Sequence, residues 1–498
     1  MKRLIRNYNA VMLGLAIVFI IGHLACSEKP GESKEFSFQR AGIDIKQYDL
    51  RLDLYPTNQL QPEFETISGE CTITFKNVGE KPIKHIPVLL YRLFEVKSVK
   101  DSDGRILPFT QNVVKIKEFP PVWQVSKADI VLASPIHAGE SESICVAYGG
   151  CLYGYQEVFR YTKDHIGSDF ILIRNDVFAY PVVSENNWKV YIAGSVNDTF
   201  DFNLYISVPK EYIVANGGHL IEKREEADRT MFNYKSQLPG WRIDVAAAKF
   251  DLIENDDRNL KVFYFANDKE GAERILAGMT KSLELYTQWF GRIKKKSQLT
   301  VMEIPEGYGG QAAVSSILLP AEAFSSKRTV RQIYHEVAHL WDVPPKEEMP
   351  SRWLSEGFAS YCQALVLKEV QGKEEFDQAL KGFRDRFRSQ CERNERFRTT
   401  PISEYGEADL TGASYTKGAI AVYVLHEIVG DDGFKEIFRV FVDKYQEQGA
   451  KIKDFVYLAQ EISKKDLKRF FDEWVYGVES SGLMLADITL EEIVRRYR

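Results

Sequence analysis

Apolar and polar side chains alternate along most of the first half of the chain. In YDLRLDLY, residues 48–55, Tyr and Leu take every second position and Asp and Arg lie between them. TFDFNLYISVP, residues 199–209, has the same period of two. Because successive strand residues point to opposite faces of a sheet, this pattern predicts half-buried β-strands. We therefore expect residues 41–253 to form an all-β domain, built as a saddle or sandwich.

The apolar period lengthens toward 3.6 from about residue 270. Residues 271–291, GAERILAGMTKSLELYTQWFG, carry apolar side chains at the spacing of one helix face. Two short strand patterns follow at 298–305 and 308–320, and the rest of the chain is predicted to be almost wholly helical. The fold class predicted is α+β and multidomain, with a mostly helical second domain over residues 254–480 that carries a small sheet, and a tail over 481–498.

Composition narrows the classes of function. The 498 residues are 44% hydrophobic, with a formal net charge of −6, which is typical of an ordinary folded protein. No basic stripe is visible, so nucleic acid is not an expected partner. The cysteines are scattered and do not form a disulfide framework, although a disulfide among Cys71, Cys145 and Cys151 is left open.

The N-terminus differs from the rest of the chain. A basic start is followed by an apolar run from about Ala10 to Ala25, then by Cys26 and a polar stretch. This order predicts an export signal over residues 1–26 and a polar linker over 27–40. Leu-Ala-Cys at 24–26 resembles the end of a bacterial lipoprotein signal, in which Cys26 is lipidated; plain cleavage and an uncleaved anchor are the alternatives. We expect the bulk of the protein outside the cytoplasm, attached to a membrane through its N-terminus.

The sequence His-Glu-x-x-His lies at residues 335–339. Positions i and i+4 share one helix face, so His335 and His339 can present two imidazoles to one ion. Glu356 follows sixteen residues after the second His, with Leu340–Ser355 between them. Zinc accepts His and carboxylate ligands and leaves a position open for water when the site is catalytic. Glu336 is then in place to take a proton from that water.

Prolines divide this region into two helices. Residues 344–345 are both Pro and are expected to end the helix of the His pair, and a second helix is expected to begin after Pro350 and to end near Gly372. Glu356 lies in its first turns. Two antiparallel helices joined by a loop bring Glu356 back to His335 and His339, which predicts a two-His, one-Glu metal site.

These motifs resemble the zinc aminopeptidases of the aminopeptidase N and leukotriene hydrolase type, in the gluzincin group. His-Glu-x-x-His at 335–339 and WLSEGFASY at 353–361 carry the resemblance. It implies a thermolysin-like catalytic domain, one Zn²⁺ per chain held by His335, His339 and Glu356, and Glu336 as general base. YTKGA at 415–419 resembles the family's tyrosine segment, which implies that the Tyr415 hydroxyl donates to the oxyanion of the tetrahedral intermediate.

The resemblance covers about residues 40–480. We expect the family's long C-terminal helical domain to be missing from this chain. The family usually has two more residues between the second His and the ligand Glu, and an Asn where this chain has Ser355.

A third departure concerns substrate binding. Residues 309–313 are Gly-Gly-Gln-Ala-Ala, where the family has Gly-x-Met-Glu-Asn, and the Glu of that motif binds the free amino group of the substrate. Gly309 and Gly310 would let the backbone approach an extended substrate. Gln311 would form a hydrogen bond with that substrate. Glu303 and Glu306 are the nearby acids that could replace the missing carboxylate.

We expect a zinc metallopeptidase that hydrolyses peptides by attack of a zinc-activated water, with aminopeptidase-like cleavage. A zinc endopeptidase, or another hydrolase with the same ligands, is the first alternative. A catalytically inactive binding or scaffold protein on the same fold is the second.

Overall fold

The computed structural model describes residues 42–58, 63–118, 123–155, 163–188, 190–191, 194, 198–293, 298–326, 330–347, 350–406 and 410–498. The predicted export signal, Cys26 and the polar linker lie outside the described residues. The chain divides into two compact units. The first is built from the described residues up to Leu276 together with residues 298–325, and the second from residues 277–293 together with the described residues from Ser326 to Arg498.

The β-strands belong to the first unit, and their bounds are β1 (Ile43–Leu54), β2 (Ile67–Asn77), β3 (Ile83–Tyr91), β4 (Phe94–Asp101), β5 (Phe109–Lys115), β6 (Gln124–Ile136), β7 (Ser141–Gly150), β8 (Ile171–Ile173), β9 (Val182–Val183), β10 (Asp201–Pro209), β11 (Ile213–Ala215), β12 (His219–Glu226), β13 (Arg229–Lys235), β14 (Val245–Ala248), β15 (Phe250–Asn255), β16 (Leu260–Phe265), β17 (Leu299–Ile304), β18 (Gln311–Ala312) and β19 (Ser316–Pro320).

The α-helices have the bounds α1 (Lys269–Phe290), α2 (Glu322–Ser325), α3 (Val330–Ala338), α4 (Phe358–Gln371), α5 (Lys373–Arg393), α6 (Arg396–Thr399), α7 (Lys417–Val429), α8 (Asp431–Tyr445), α9 (Ile452–Ser463), α10 (Lys468–Phe471), α11 (Glu479–Leu485) and α12 (Leu490–Arg495).

The first unit is built on sheets with one packed face. Its largest sheet has the strand order β12-β13-β10-β1-β2-β7-β4, in which β1 and β10 run parallel. Along β1 the side chains of Tyr48, Leu50 and Leu52 are buried, and Arg51 and Asp53 between them are exposed. A sheet of order β5-β6-β3-β9 contributes to the same hydrophobic core. The prediction of a β-rich N-terminal domain is therefore confirmed.

A smaller sheet follows in the chain, with the order β15-β16-β17-β19-β18. β17 is parallel to both β16 and β19, and every residue of β17 is buried. Such burial on both faces explains why its sequence, LTVMEI, lacks the alternation seen in β1. This is the small sheet that the strand patterns at 298–305 and 308–320 predict. The domain limits inferred from the sequence stay predictions.

The second unit is helical and has an aromatic core. Phe358 of α4 stacks on Phe438 of α8, with ring centroids 4.4 Å apart. Phe290, at the end of α1, lies 5.2 Å from Phe358 and 6.1 Å from Phe434 of α8. Packing of this kind fixes the start of α4, which begins two residues after Glu356. A β-rich part followed by a mostly helical part confirms the predicted fold class.

Two further observations bear on the sequence. Cys71, Cys145, Cys151, Cys362 and Cys391 are free thiols, so none of these residues forms a disulfide. In the part of the chain that the structure describes, no helix has the length and the apolar character needed to cross a bilayer.

Candidate metal centre

The two imidazoles come from the end of α3 and the turn that follows it. α3 ends at Ala338, and a short 3₁₀ turn, His339–Trp341, continues it. The Tyr286 hydroxyl donates to the Tyr334 carbonyl at 2.7 Å, and the Trp341 indole N–H donates to the Gly291 carbonyl at 3.0 Å. The helical segment ends at Trp341, before the two prolines at 344–345 that the sequence indicates as its end. The i, i+4 spacing of His335 and His339 survives this change.

Glu356 lies on an unusual turn. Residues Trp353–Gly357 form a single π-helical turn before α4, instead of the first turns of an ordinary α-helix. Arg352, immediately before it, has a left-handed backbone with φ of 63°. Its carbonyl accepts from the Glu356 N–H at 2.7 Å. Single π turns inside helices are frequent at functional sites because they change the direction of one side chain.

Three donor atoms meet in the second, helical unit. His335 Nε2 lies 3.2 Å from His339 Nε2 and 3.1 Å from Glu356 Oε2, and His339 Nε2 lies 3.4 Å from the same carboxylate oxygen. Zinc bonds of about 2.0–2.1 Å place tetrahedral donors about 3.3 Å apart. The three separations thus match three edges of a zinc tetrahedron, and the donor set of two imidazoles and one carboxylate is one that zinc accepts. In the described residues, this is the group of three donors that fits a metal ion.

A second layer of polar groups holds the outer atom of each donor residue. Asp342 Oδ2 lies 2.8 Å from His339 Nδ1, and the Ser355 hydroxyl donates to the same oxygen at 2.7 Å. Ser360 Oγ lies 3.4 Å from His335 Nδ1. Such partners fix the tautomer and orientation of metal-binding imidazoles. Ser355 stands where the family that this chain resembles has Asn, and it supports the site through Asp342.

The second oxygen of Glu356 is paired with a cation. Arg352 Nη2 contacts Glu356 Oε1, the oxygen that does not face the imidazoles. Burial opposes ionisation of Glu356, but the charges of Arg352 and His339 outweigh it and hold the pKa of this carboxyl well below its usual range. Glu356 is therefore ionised and ready to bind a metal at neutral pH.

Glu336 is placed to accept a proton. Glu336 is only 7% exposed, and this burial raises the pKa of its carboxyl. The charges of the nearby His335 and His339 lower the same pKa. A carboxylate with a raised pKa is a stronger base than one in water. The position beside the three donors therefore suits the general base that the sequence predicts.

Tyr415 lies beside the donor cluster. It follows a 3₁₀ turn, Thr411–Ala413, and lies two residues before the start of α7, so it is not within the helix itself. Its ring lies nearly parallel to that of His335, with an interplanar angle of 16° and centroids 5.8 Å apart. Burial, and then the charge of Glu356, raises the pKa of the Tyr415 hydroxyl well above 10. The hydroxyl therefore keeps its proton and acts as a hydrogen-bond donor, and in this structure its partner is the Glu356 carboxylate.

The segment that carries Tyr415 is fixed on both sides. The Ser414 hydroxyl donates to the Ser351 carbonyl, and the Thr416 hydroxyl donates to Gln390 Oε1 at 2.8 Å. Lys417 is fully buried, and its ammonium nitrogen lies 3.1 Å from Ser481 Oγ. These bonds hold Tyr415 in place without using its own hydroxyl.

The predicted substrate segment lies in the first unit. Gly309 and Gln311 both accept from the buried Arg174 guanidinium, the glycine carbonyl at 2.9 Å and the Gln311 side-chain oxygen at 3.2 Å. Arg174 also pairs with the buried Asp164. A Cβ on Gly310 would lie 3.0 Å from the Leu318 carbonyl oxygen, so a larger residue does not fit there without movement.

The two acids proposed as replacements for the missing carboxylate differ in their surroundings. Glu303 is fully buried on β17, and its Oε2 accepts from the Phe265 N–H at 2.7 Å. Burial raises the pKa of Glu303 to about 8, so this carboxyl is protonated at neutral pH. Glu306 is exposed. A neutral acid attracts a cation weakly, so the protonated Glu303 is not favoured as an anchor for an ammonium group.

The sequence did not predict two residues of the site, Asp342 and Arg352. Asp342 lies three residues after His339, a spacing that puts two side chains on one face of a helical turn and that could have indicated this partner. Arg352 lies four residues before Glu356, but its backbone is left-handed, so helix spacing does not account for its contact with Glu356.

Known proteins resemble this chain in sequence and in fold. Residues 311–474 match the family model described as the peptidase family M1 domain. Human glutamyl aminopeptidase is 25% identical over 306 residues, which are 56% of this chain and 32% of that protein. Probable aminopeptidase 2 of Sulfurisphaera tokodaii is 22% identical over 461 residues, covering 87% of this chain and 53% of its own length.

The fold resembles the crystal structure of an M1 zinc metallopeptidase from Deinococcus radiodurans, with a TM-score of 0.62 and 17% identity. The match covers 88% of this chain and 95% of that one. The chain thus spans a third to a half of the length of the two aminopeptidases, but nearly the whole of this structural relative.

Proposed function

We propose that this chain, whose residues 311–474 belong to peptidase family M1, is a zinc-dependent metallopeptidase that hydrolyses peptide bonds in an aminopeptidase-like manner. One observation carries the proposal: the donor atoms of His335, His339 and Glu356 lie at the edges of a zinc tetrahedron, 3.1–3.4 Å apart, with Glu336 and Tyr415 beside them. We further propose one zinc ion per chain.

Each residue then has a distinct task. His335, His339 and Glu356 would hold the metal, which when bound supplies a Lewis acid that lowers the pKa of water toward neutrality and polarises a carbonyl. Glu336 accepts the proton of the attacking water and passes it to the leaving amine. Tyr415 donates its hydroxyl hydrogen to the oxyanion that forms at the scissile carbonyl.

The aminopeptidase-like specificity rests on the relatives, two of which are named as aminopeptidases. The second candidate is a zinc endopeptidase. It is favoured by residues 309–313, which lack a carboxylate, and by Arg174, which occupies the side-chain oxygen of Gln311. Residues 309–313 therefore offer no carboxylate to an ammonium group, and the side-chain oxygen of Gln311 already accepts from Arg174.

A peptide mixture tests the proposal and separates the candidates. Metal-free and zinc-loaded protein would be incubated with the same peptides, either with free N-termini or N-acetylated, and the products identified by mass spectrometry. We expect zinc-dependent removal of N-terminal residues from the free peptides. Cleavage of both sets at internal bonds would favour the endopeptidase, and no cleavage with zinc bound would favour a binding or scaffold protein.

We also propose that the protein is exported and attached to a membrane through its N-terminus. The basic start, the apolar run to Ala25 and the cysteine at position 26 support this placement. Fractionation of cells that produce the full chain and a Cys26→Ser variant tests it. We expect the unchanged chain in the membrane fraction and the variant released from it; equal distribution of the two would exclude lipidation at Cys26.

A further inference from the structure

Arg352 is the one cation in direct contact with the predicted metal ligands within the described residues. Its left-handed backbone, with φ of 63°, is unfavourable for a residue with a side chain and persists only where the surroundings hold it. Here the π-helical turn of Trp353–Gly357, which carries Glu356, begins at the next residue. The conformation therefore places the Arg352 side chain at the site as well.

The guanidinium of Arg352 is only partly used by this contact. Nη2 meets Glu356 Oε1, and the side chain makes no other ion pair or hydrogen bond with the residues that the structure describes. About 44% of the side chain is exposed. A guanidinium carries five N–H donors in a planar fork. Donors of Arg352 thus remain available to a ligand in solution.

These donors lie near the reacting groups. Arg352 Nη2 contacts Glu356 Oε1, and the other oxygen of that carboxylate lies 3.1 Å from His335 Nε2. The Tyr415 ring lies 5.8 Å from the ring of the same histidine. Glu336 and Tyr415 are the groups that would flank the scissile carbonyl. A partly exposed cation that contacts one of the metal ligands is therefore in reach of the substrate residues that adjoin the scissile bond.

We propose that Arg352 binds a carboxylate of the substrate close to the scissile bond, so that acidic peptides are preferred. The inference rests on the proposed peptidase function and names its substrate class. Arginine and a carboxylate form charge-assisted hydrogen bonds that are stronger than those of a neutral amide. The carboxylate comes from one of two sources, an acidic side chain or the free C-terminus of a short peptide.

Matched peptide pairs measure the preference. One pair replaces Glu by Gln next to the scissile bond, and the other replaces a free C-terminal acid by its amide. Each pair is offered to the zinc-loaded wild-type chain, to Arg352→Gln and to Arg469→Gln, whose exposed guanidinium pairs with Glu473 at the same i, i+4 spacing. The ratio of kcat/KM within a pair is compared, because a change in zinc content affects both members equally.

We expect the wild type and Arg469→Gln to prefer the acidic member of one pair by about tenfold or more, and Arg352→Gln to lose that preference. The pair that shows the effect identifies the source of the carboxylate. No acid preference in either pair, or a preference that persists in Arg352→Gln, overturns the inference. Hydrolysis without preference leaves the proposed function standing, whereas failure to cleave any peptide contradicts the proposed function itself.

A binding measurement covers the case in which Arg352→Gln no longer turns over. Calorimetry would compare Kd values for the same peptide pairs with zinc-loaded Glu336→Gln and with the Glu336→Gln, Arg352→Gln double variant, after zinc content is determined by metal analysis. Tighter binding of the acid by the single variant alone supports the inference. Equal ratios in the two proteins, or no difference between acid and amide, overturn it.

Discussion

Gly357 and Gly418 meet backbone to backbone beside the metal site. A Cβ on Gly357 would lie 2.7 Å from the carbonyl carbon of Gly418, which is closer than real side chains approach. Gly357 follows the ligand Glu356, and Gly418 lies three residues after Tyr415. The close approach of these two glycines therefore sets the position of Tyr415 relative to Glu356.

Gly357→Ala should force these segments apart. We expect a loss of stability of about 1–3 kcal/mol, which is usual for an extra methyl group in a packed interior, together with lower peptidase turnover. Thermal unfolding and kcat are the measurements. Gly482→Ala is the control, since a Cβ at that helical glycine meets no atom within 4 Å. Unchanged turnover and unfolding of Gly357→Ala would show that this contact does not position the site.

Asp342→Asn should weaken zinc binding. The Asp342 carboxylate lies 2.8 Å from His339 Nδ1, and a neutral amide accepts from that N–H less strongly. Loss of such an outer partner typically reduces metal affinity by about 10–100-fold. Competition with a chromophoric chelator measures the affinity, and Asp377→Asn, at an exposed acid paired with Lys373, is the control. Equal zinc affinity of Asp342→Asn and the wild type would remove Asp342 from the site.

Tyr415→Phe should lower kcat while leaving the fold intact. Removal of one oxyanion donor usually costs about 10²–10³ in kcat, and the pKa of Tyr415, raised well above 10 by burial, keeps the donor protonated at neutral pH. Steady-state kinetics and circular dichroism are compared with Tyr457→Phe, at a tyrosine that is 65% exposed. Full activity of Tyr415→Phe would refute an oxyanion role.

The sequence predicts the chemistry of this site better than its surroundings. The i, i+4 spacing of His335 and His339 is local, and it holds although the helix ends earlier than the prolines indicate. Glu356 reaches the imidazoles through a π-helical turn, and its Arg352 partner depends on a left-handed residue. Neither feature has a reliable sequence pattern, because the segment that carries both packs against residues distant in the sequence, such as Gly418. The alternation in β1 and β10, by contrast, identifies buried faces directly.

Lys417→Met should change how stability depends on pH. Burial lowers the pKa of Lys417 from 10.5 to about 7, so between these pH values the unfolded chain binds more protons than the folded one. This residue therefore makes stability rise with pH across that window, and below about pH 7 its destabilising effect is constant.

The Lys417→Met variant has no such proton. Its gain in unfolding free energy over the wild type should be largest at pH 7 or below and should shrink toward pH 10. Urea unfolding of both proteins at several pH values measures this difference. A difference that does not change with pH would show that Lys417 keeps an ordinary pKa.

The most direct test of the account is the rate of peptide hydrolysis by Glu336→Gln protein whose zinc content has been measured. The residue lies beside His335 and His339 but is not one of the three metal donors, so the variant should still bind zinc. We predict one zinc per chain and a fall in turnover of about 10²–10⁴-fold relative to the zinc-loaded wild type. Turnover equal to that of the wild type, with zinc bound in both proteins, would contradict the account.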